Sequence, residues 1–201
     1  MPIGSNFNDF LKADGSQGNY MLRRMLYIGI FHIDANLINA RQKVDAVNQL
    51  EQWNENEVVL INISSTAFAE AKAGGSVERM RKANAQIFTT TTPVSESEPL
   101  FKKVEVALFP NGAKDDNQRN DVRIVCEAAK YSAILVTGDG ASKTQPGGIL
   151  GNRDKIKDTV QIVSPDDAVA LVKREIYKRD EFNKRVMREI GGKLPSWHGQ
   201  D

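Results

Sequence analysis

The sequence predicts an α/β protein, a three-layer α/β/α sandwich around a mostly parallel central sheet, and three observations lead there. Short apolar runs rich in β-branched residues recur at 26–33, 58–63, 133–137 and 160–163, the pattern of strands buried on both faces. Between them lie longer segments with helical apolar spacing, as in strand–helix–strand units. Turn-forming and capping residues mark the junctions, most clearly Ser164-Pro165-Asp166-Asp167, where a cap, a first-turn proline and two acids start a helix.

Residues 1–22 carry Gly, Asn, Asp and Ser with few large apolar side chains and read as a mobile leader. The run 26–33 ends in Asp34, as expected of a buried parallel strand opening onto solvent. A helix is then expected from about 35 to 52, with Leu37, Ala40, Val44, Val47 and Leu50 near helical spacing. After the second strand, 58–63, Ser64 or Ser65 caps a short helix that carries Glu70 and ends near Gly74-Gly75. The stretch 76–90 alternates basic and small residues without a clear period. TTTTPVSESEP after it is turn-forming, and an apolar element follows at 100–109.

In 120–130, Ile124, Val125, Ala128 and Ala129 trace one helix face, and 133–137 is a short strand with Asp139 just beyond it. The loop GASKTQPGGILGNRDK leads to the strand at 160–163 and a long helix to about Ile190, stopped by Gly191-Gly192. The expected organisation is a leader (1–22), one α/β domain (23–165), and a C-terminal helix and tail (166–201) packed on that domain or on a partner. The 201 residues suffice for a substantial single core.

A formal charge of +1 gives no bulk electrostatic reason for a nucleic-acid or membrane partner, so any such partner must be argued locally. The single cysteine, Cys126, excludes an intrachain disulfide and suits a reducing cytoplasm; with only His32 and His198 as histidines, a Cys- or His-rich zinc site is excluded too. No run of roughly 18 apolar residues offers a membrane span.

The turns beyond the strands deliver acids from four places: Asp34 after the first strand, Glu70 on the second helix, Asp121 at a later helix start, and Asp139 after its strand. The carboxyl ends of parallel strands converge on one edge of the sheet, so these acids are expected to line one pocket. Like charges in a low-dielectric cleft raise one another's pKa unless a cation compensates them. A hard divalent ion such as Mg²⁺ takes carboxylate and water oxygens and bridges readily to phosphate, which points to phosphoryl chemistry.

Three segments together resemble the PIN-domain nucleases. FHIDANLINA is similar to the family's first motif, an apolar strand ending in Asp with Asn two residues on. SSTAFAEA resembles the second, a small polar helix start leading to an acid. NDVRIVCEAAKYSAILVTGDG follows the family order of an acid opening a helix, an alanine-bearing apolar face and a strand ending in Thr-x-Asp. The resemblance covers roughly 26–163 and implies Asp34, Glu70, Asp121 and Asp139 as catalytic metal ligands, with Asn36 and Thr137 in support. It also implies one or two Mg²⁺ or Mn²⁺ ions that activate a water for hydrolysis, and nucleic acid as partner, single-stranded RNA favoured. It leaves a homodimer and a protein regulator open. The chain departs from many members in having Gly140-Ala141-Ser142 after the last aspartate, where another acid and an aromatic residue are usual.

Other readings stand beside this one. Asp34 and Asp121 are each placed to cap a helix, Asp139-Gly140 is a common turn dipeptide, and Glu70 alone reads as a solvated side chain. Asp115 and Asp116 are alternative ligands that read better as a hydrated turn. GDGASKTQPGG lacks the glycine that a phosphate loop needs before Lys-Thr. A haloacid-dehalogenase-like phosphatase needs an acid where Asn36 stands, and no Gly-x-Gly-x-x-Gly follows the first strand. The basic residues Lys173, Arg174, Lys178, Arg179, Lys184 and Arg185 are interspersed with acids, as on a solvated helix. A non-catalytic PIN-like binding module is the alternative of a different class.

Overall fold

The computed structural model of the chain describes residues 22–38, 41, 43–85, 92–140 and 146–201. Strands β1 (Phe31–Ile33), β2 (Ile61–Ile63), β3 (Ile134–Val136) and β4 (Gln161–Val163) form one sheet in the order β2-β1-β3-β4. Every pairing is parallel, with Phe31 opposite Ile61 and Ile134, and Val136 opposite Val163. All strand residues except Gln161 are buried, because helices cover both faces.

Among the described residues, seven helices do the covering: α1 (Asp45–Glu55), α2 (Ser65–Ala73), α3 (Val77–Ala85), α4 (Pro99–Leu108), α5 (Asp116–Lys130), α6 (Gly148–Asn152) and α7 (Pro165–Ile190). The two-residue alternation of a strand sends Phe31, Ile33, Ile134 and Val136 to one face, where Val47, Leu50 and Trp53 of α1 and Ala168, Val172 and Ile176 of α7 close over them. Leu135 and Ile162 point the other way, into a core built with Ala67 of α2, Phe101 and Val104 of α4, and Val122 and Val125 of α5. Each large side chain removed from water contributes about 1.5–3 kcal/mol, so these two cores hold the three layers together. Cys126 is a buried member of the second core.

The parallel sheet and its three layers match the expected fold class, while several boundaries differ. The first helix does not run from 35: a 3-10 turn spans Ala35–Leu37, and α1 begins at Asp45 after Val44 in extended backbone. Residues 39, 40 and 42 lie outside the described residues. Segment 76–90, without an expected element, contains α3. Its start is marked by Ser76, whose Oγ accepts from the Arg79 amide at 3.3 Å, and by Glu78 in the first turn. The apolar element at 100–109 is α4, with Pro99 opening it. The glycine-rich loop before β4 contains α6, and its residues 141–145 lie outside the described residues, as do residues 1–21 and 86–91.

Two caps are as read from the sequence. The Ser64 side chain accepts from the Ala67 amide at 3.2 Å at the start of α2, and Ser164 accepts from Asp167 at 3.1 Å at the start of α7. Gly191 ends α7 with a left-handed φ of 67°. The charges of α7 largely satisfy one another: Glu175 takes Arg174 and Lys178, Glu181 takes Lys184, and Arg179 takes Asp180 and Asp201. No described helix is long and apolar enough to cross a membrane.

Candidate active site

The strand order places β1 beside β3, with β2 outside one and β4 outside the other. The carboxyl ends of β1 and β3 therefore flank the topological switch point, where a parallel sheet opens a crevice. Asp34 is the first residue beyond β1, and Thr137 the first beyond β3. Both stay on the ladder: the Asp34 amide donates to the Val136 carbonyl at 3.0 Å and the Thr137 amide to the Val163 carbonyl at 3.1 Å. Backbone pairing thus fixes their side chains at the mouth of the crevice.

A single hydroxyl links the two turns. Thr137 Oγ1, wholly buried, donates to Asp34 Oδ2 at 2.5 Å and accepts from the Asp139 amide at 3.0 Å. Asn36 adds a second strap, donating through Nδ2 to Asp34 Oδ2 at 2.9 Å and accepting from the Gly138 amide at 3.3 Å. The Asp34 side chain makes no capping hydrogen bond of the usual kind to the 3-10 turn it precedes.

Asp139 is set by α6. Its Oδ2 accepts from the Ile149 amide at 2.8 Å and its carbonyl from the Leu150 amide at 2.9 Å. The approach is close enough that a Cβ on Gly148, where φ is +54°, would lie 2.6 Å from both the carbonyl oxygen and Oδ1 of Asp139. Glu70, half-buried on α2, accepts from Asn120 Nδ2 at 2.9 Å, and Asn120 in turn accepts from Arg123 at 2.9 Å.

Asp121 does not open its helix. Helix α5 starts at Asp116, with Asp115 as the cap accepting from the Gln118 amide at 2.9 Å, so Asp121 lies in the second turn. The helix starts earlier because Asp115 caps a first-turn amide and Asp116, in the first turn, complements the helix dipole. Asp115 is therefore a helix cap rather than part of a hydrated turn.

The acids feel one another. Burial pushes the Asp34 carboxyl up to about 6, the Thr137 hydroxyl pulls it down, and the charges of Glu70 and Asp139 raise it further. Asp121 is pushed up to about 8 by burial and then by Asp139, Asp34, Glu70 and Asp115. Glu70 is raised by burial, with Asn120 and the Arg79 charge opposing. Four acids from separate elements thus share one electrostatic environment.

Among the described residues, no group of three or more Asp, Glu, His or Cys side chains closes to the spacing that would hold one metal ion jointly. The donor set fits a hard, water-rich ion bound through one or two carboxylates, the mode Mg²⁺ favours, and does not form a closed cage. Side-chain hydrogen bonds from Thr137 and Asn36 both fall on Asp34 Oδ2, the amide bond to Asp139 on Oδ2, and the Asn120 bond to Glu70 on Oε1. These hydrogen bonds fix the orientation of the three carboxylates.

Sequence reasoning missed Asn120 and Arg79. Asn120 precedes Asp121 and shares its helix with Asn117 three residues earlier, a spacing that marks one face. Arg79 follows the Ser76–Glu78 helix start, which would have revealed α3. Both line a cleft of about 590 Å³ with Asn36, Glu70 and Asn117.

No protein-family model matches the chain, and a search of curated proteins finds no relative. Solved structures do align with it. VapBC2 from Rickettsia felis, bound to a DNA fragment from their promoter, is 19% identical over 67% of this chain and 98% of that one, with a TM-score of 0.44. VapBC-1 from nontypeable Haemophilus influenzae is 18% identical over 68% and 98%, with a TM-score of 0.45. FitAB bound to an IR36 DNA fragment is 17% identical over 68% and 94%, with a TM-score of 0.40.

Proposed function

We propose that this chain is a PIN-like, metal-dependent nuclease that hydrolyses phosphodiester bonds, with single-stranded RNA as the favoured substrate. The observation that carries the reading is the convergence of Asp34, Glu70, Asp121 and Asp139 on one crevice, where burial first and one another's charges second push Asp34 up to about 6 and Asp121 to about 8. Buried carboxylates that also repel one another are unstable as ions without a cation, and a divalent ion would supply it.

In this reading Asp34, Glu70, Asp121 and Asp139 would hold one or two Mg²⁺ or Mn²⁺ ions, each through one or two carboxylates, and the bound metal would lower the pKa of a water and offset charge on the phosphate. Thr137 and Asn36 orient Asp34, and the Ile149 amide orients Asp139. The net reaction adds water across the P–O bond: its oxygen joins phosphorus, and the departing sugar oxygen leaves with a proton. No covalent bond to the protein is needed. The absence of a closed three-acid group among the described residues favours the second reading, a PIN-like module that binds RNA or protein without cutting.

The test is cleavage of end-labelled single-stranded RNA and DNA with Mg²⁺, Mn²⁺ or chelator, beside Asp34→Asn and Asp139→Asn. Metal-dependent cutting by the wild type, lost by at least a hundredfold in both folded variants, is the expected result, on the order of the contribution of a group acting only in the transition state. A folded wild type that neither cuts nor binds metal would sink the catalytic reading in favour of the binding module.

A further inference from the structure

We infer that Arg79 holds a backbone phosphate of single-stranded nucleic acid beside the acids, an inference that rests on the nuclease reading and extends it to substrate binding. Helix α3 brings Arg79 across the end of α2, where Nη2 donates to the Ala35 carbonyl at 2.6 Å. Ala35 lies between Asp34 and Asn36, so the guanidinium stands next to the turn that carries the first acid. A Cβ placed on Gly74 would lie 3.5 Å from Nη1, which locates the head group over the last turn of α2. The carboxyl end of the helix dipole there favours a cation.

Two features separate this arginine from a surface tie. It forms no ion pair with the described residues, whereas Arg123 nearby is taken by Glu96. It also lines the 590 Å³ cleft together with Glu70 and the amide side chains of Asn36, Asn117 and Asn120. A guanidinium has five donors in a rigid fork, and the Ala35 carbonyl takes one, so the rest suit two oxygens of a phosphate. The amides offer partners to sugar and base edges on either side. A strand whose scissile phosphate lies at the acids would set its neighbouring phosphate in this cleft.

The experiment measures binding of fluorescent single-stranded RNA and DNA of one sequence by the full chain in chelator over a salt series, with cleavage in Mg²⁺ measured in parallel. The variants are Arg79→Met, Arg79→Lys and, as a control for bulk charge on the distant exposed helix, Lys184→Met. Arg79→Met is expected to weaken binding of both strands by about tenfold and to flatten the log–log salt slope by about 0.7. The loss in kcat/KM should fall on KM. Arg79→Lys, which keeps the charge and a donor for Ala35, should lie between and guards against a simple folding defect. Loss confined to RNA would assign the contact to ribose and overturn the phosphate reading. Unchanged affinity and slope in a folded Arg79→Met, with RNA still cut by the wild type, overturns the inference and leaves the nuclease reading standing. A wild type that binds both strands through Arg79 yet never cuts sinks the nuclease reading and keeps the phosphate contact; one that binds neither overturns both.

Discussion

Thr137 shows how much one buried hydroxyl can organise. It faces no solvent, donates a hydrogen bond to Asp34 and accepts one from the Asp139 amide, so it serves both turns at once. Thr137→Val keeps the shape and removes both bonds, leaving a buried carboxylate oxygen and an amide without that partner. The expected cost is on the order of 1–3 kcal/mol, read as a drop in Tm of about 2–4 °C per kcal/mol for a chain of this size. Because the Thr137 hydroxyl opposes the rise of the Asp34 carboxyl, which stands at about 6 with that hydrogen bond in place, its loss should move the acid limb of the pH–rate profile to higher pH. Thr137→Ser should restore that limb. A valine variant with an unmoved profile would show that the hydroxyl supports the fold and not the ionisation of Asp34.

At the scale of elements, α6 earns its place by contact with one acid. Its first residue, Gly148, has a left-handed φ of +54° and lets the Asp139 carboxylate and carbonyl approach where a methyl group would stand 2.6 Å away. Gly148→Ala is expected to displace Asp139 and lower cleavage by tenfold or more, on the order of what a 1 Å misplacement costs. The far-ultraviolet circular dichroism of the variant should match the wild type, since α6 is only five residues long. Full activity in Gly148→Ala would mean that Asp139 needs no such placement. This glycine also marks the limit of what the sequence disclosed. The strands, Ser64 and Ser164 as caps, and the acids beyond the strands were legible because burial and capping are local signals. Helices α3 and α6 were not: α3 has only a weak apolar face with charged residues throughout, and α6 is held by Asp139, a contact made across nine intervening residues. The shift of the α5 start from Asp121 to Asp116 has the same character, since two acids in a row offered equally good local caps and the structure uses the earlier pair. Arg79 stayed hidden with its helix, and the order of strands that gathers the acids emerged only from pairing over long range.

For the molecule as a whole, gathering acids from four elements makes stability depend on pH. In the unfolded chain Asp121 ionises near 3.8, and in the folded chain near 8. Between those values the folded state binds more protons, so the contribution of this group to stability falls as pH rises from about 4 to about 8. Asp34, raised to about 6, acts in the same direction over the lower half of that window. His32 acts oppositely: burial depresses it from 6.5 to about 4, so its neutral form favours the fold above pH 6.5 and costs stability as pH falls through that range. The carboxylates held low by partners on α7, Glu175 and Glu181, lose their contribution only near and below their ordinary values, under pH 4.5. The net profile is therefore a sum of opposing slopes, and the difference between wild type and Asp121→Asn isolates the acid cluster. In chelator, Asp121→Asn should gain Tm over the wild type progressively from pH 5 to pH 8. Mg²⁺ should raise the Tm of the wild type more at pH 8 than at pH 5, because the ion competes with protons for the same carboxylates, and should do less for the variant. Parallel curves for the two proteins, with Mg²⁺ equally without effect at both pH values, would mean that these charges are relieved by solvent and that the crevice is not built around a cation.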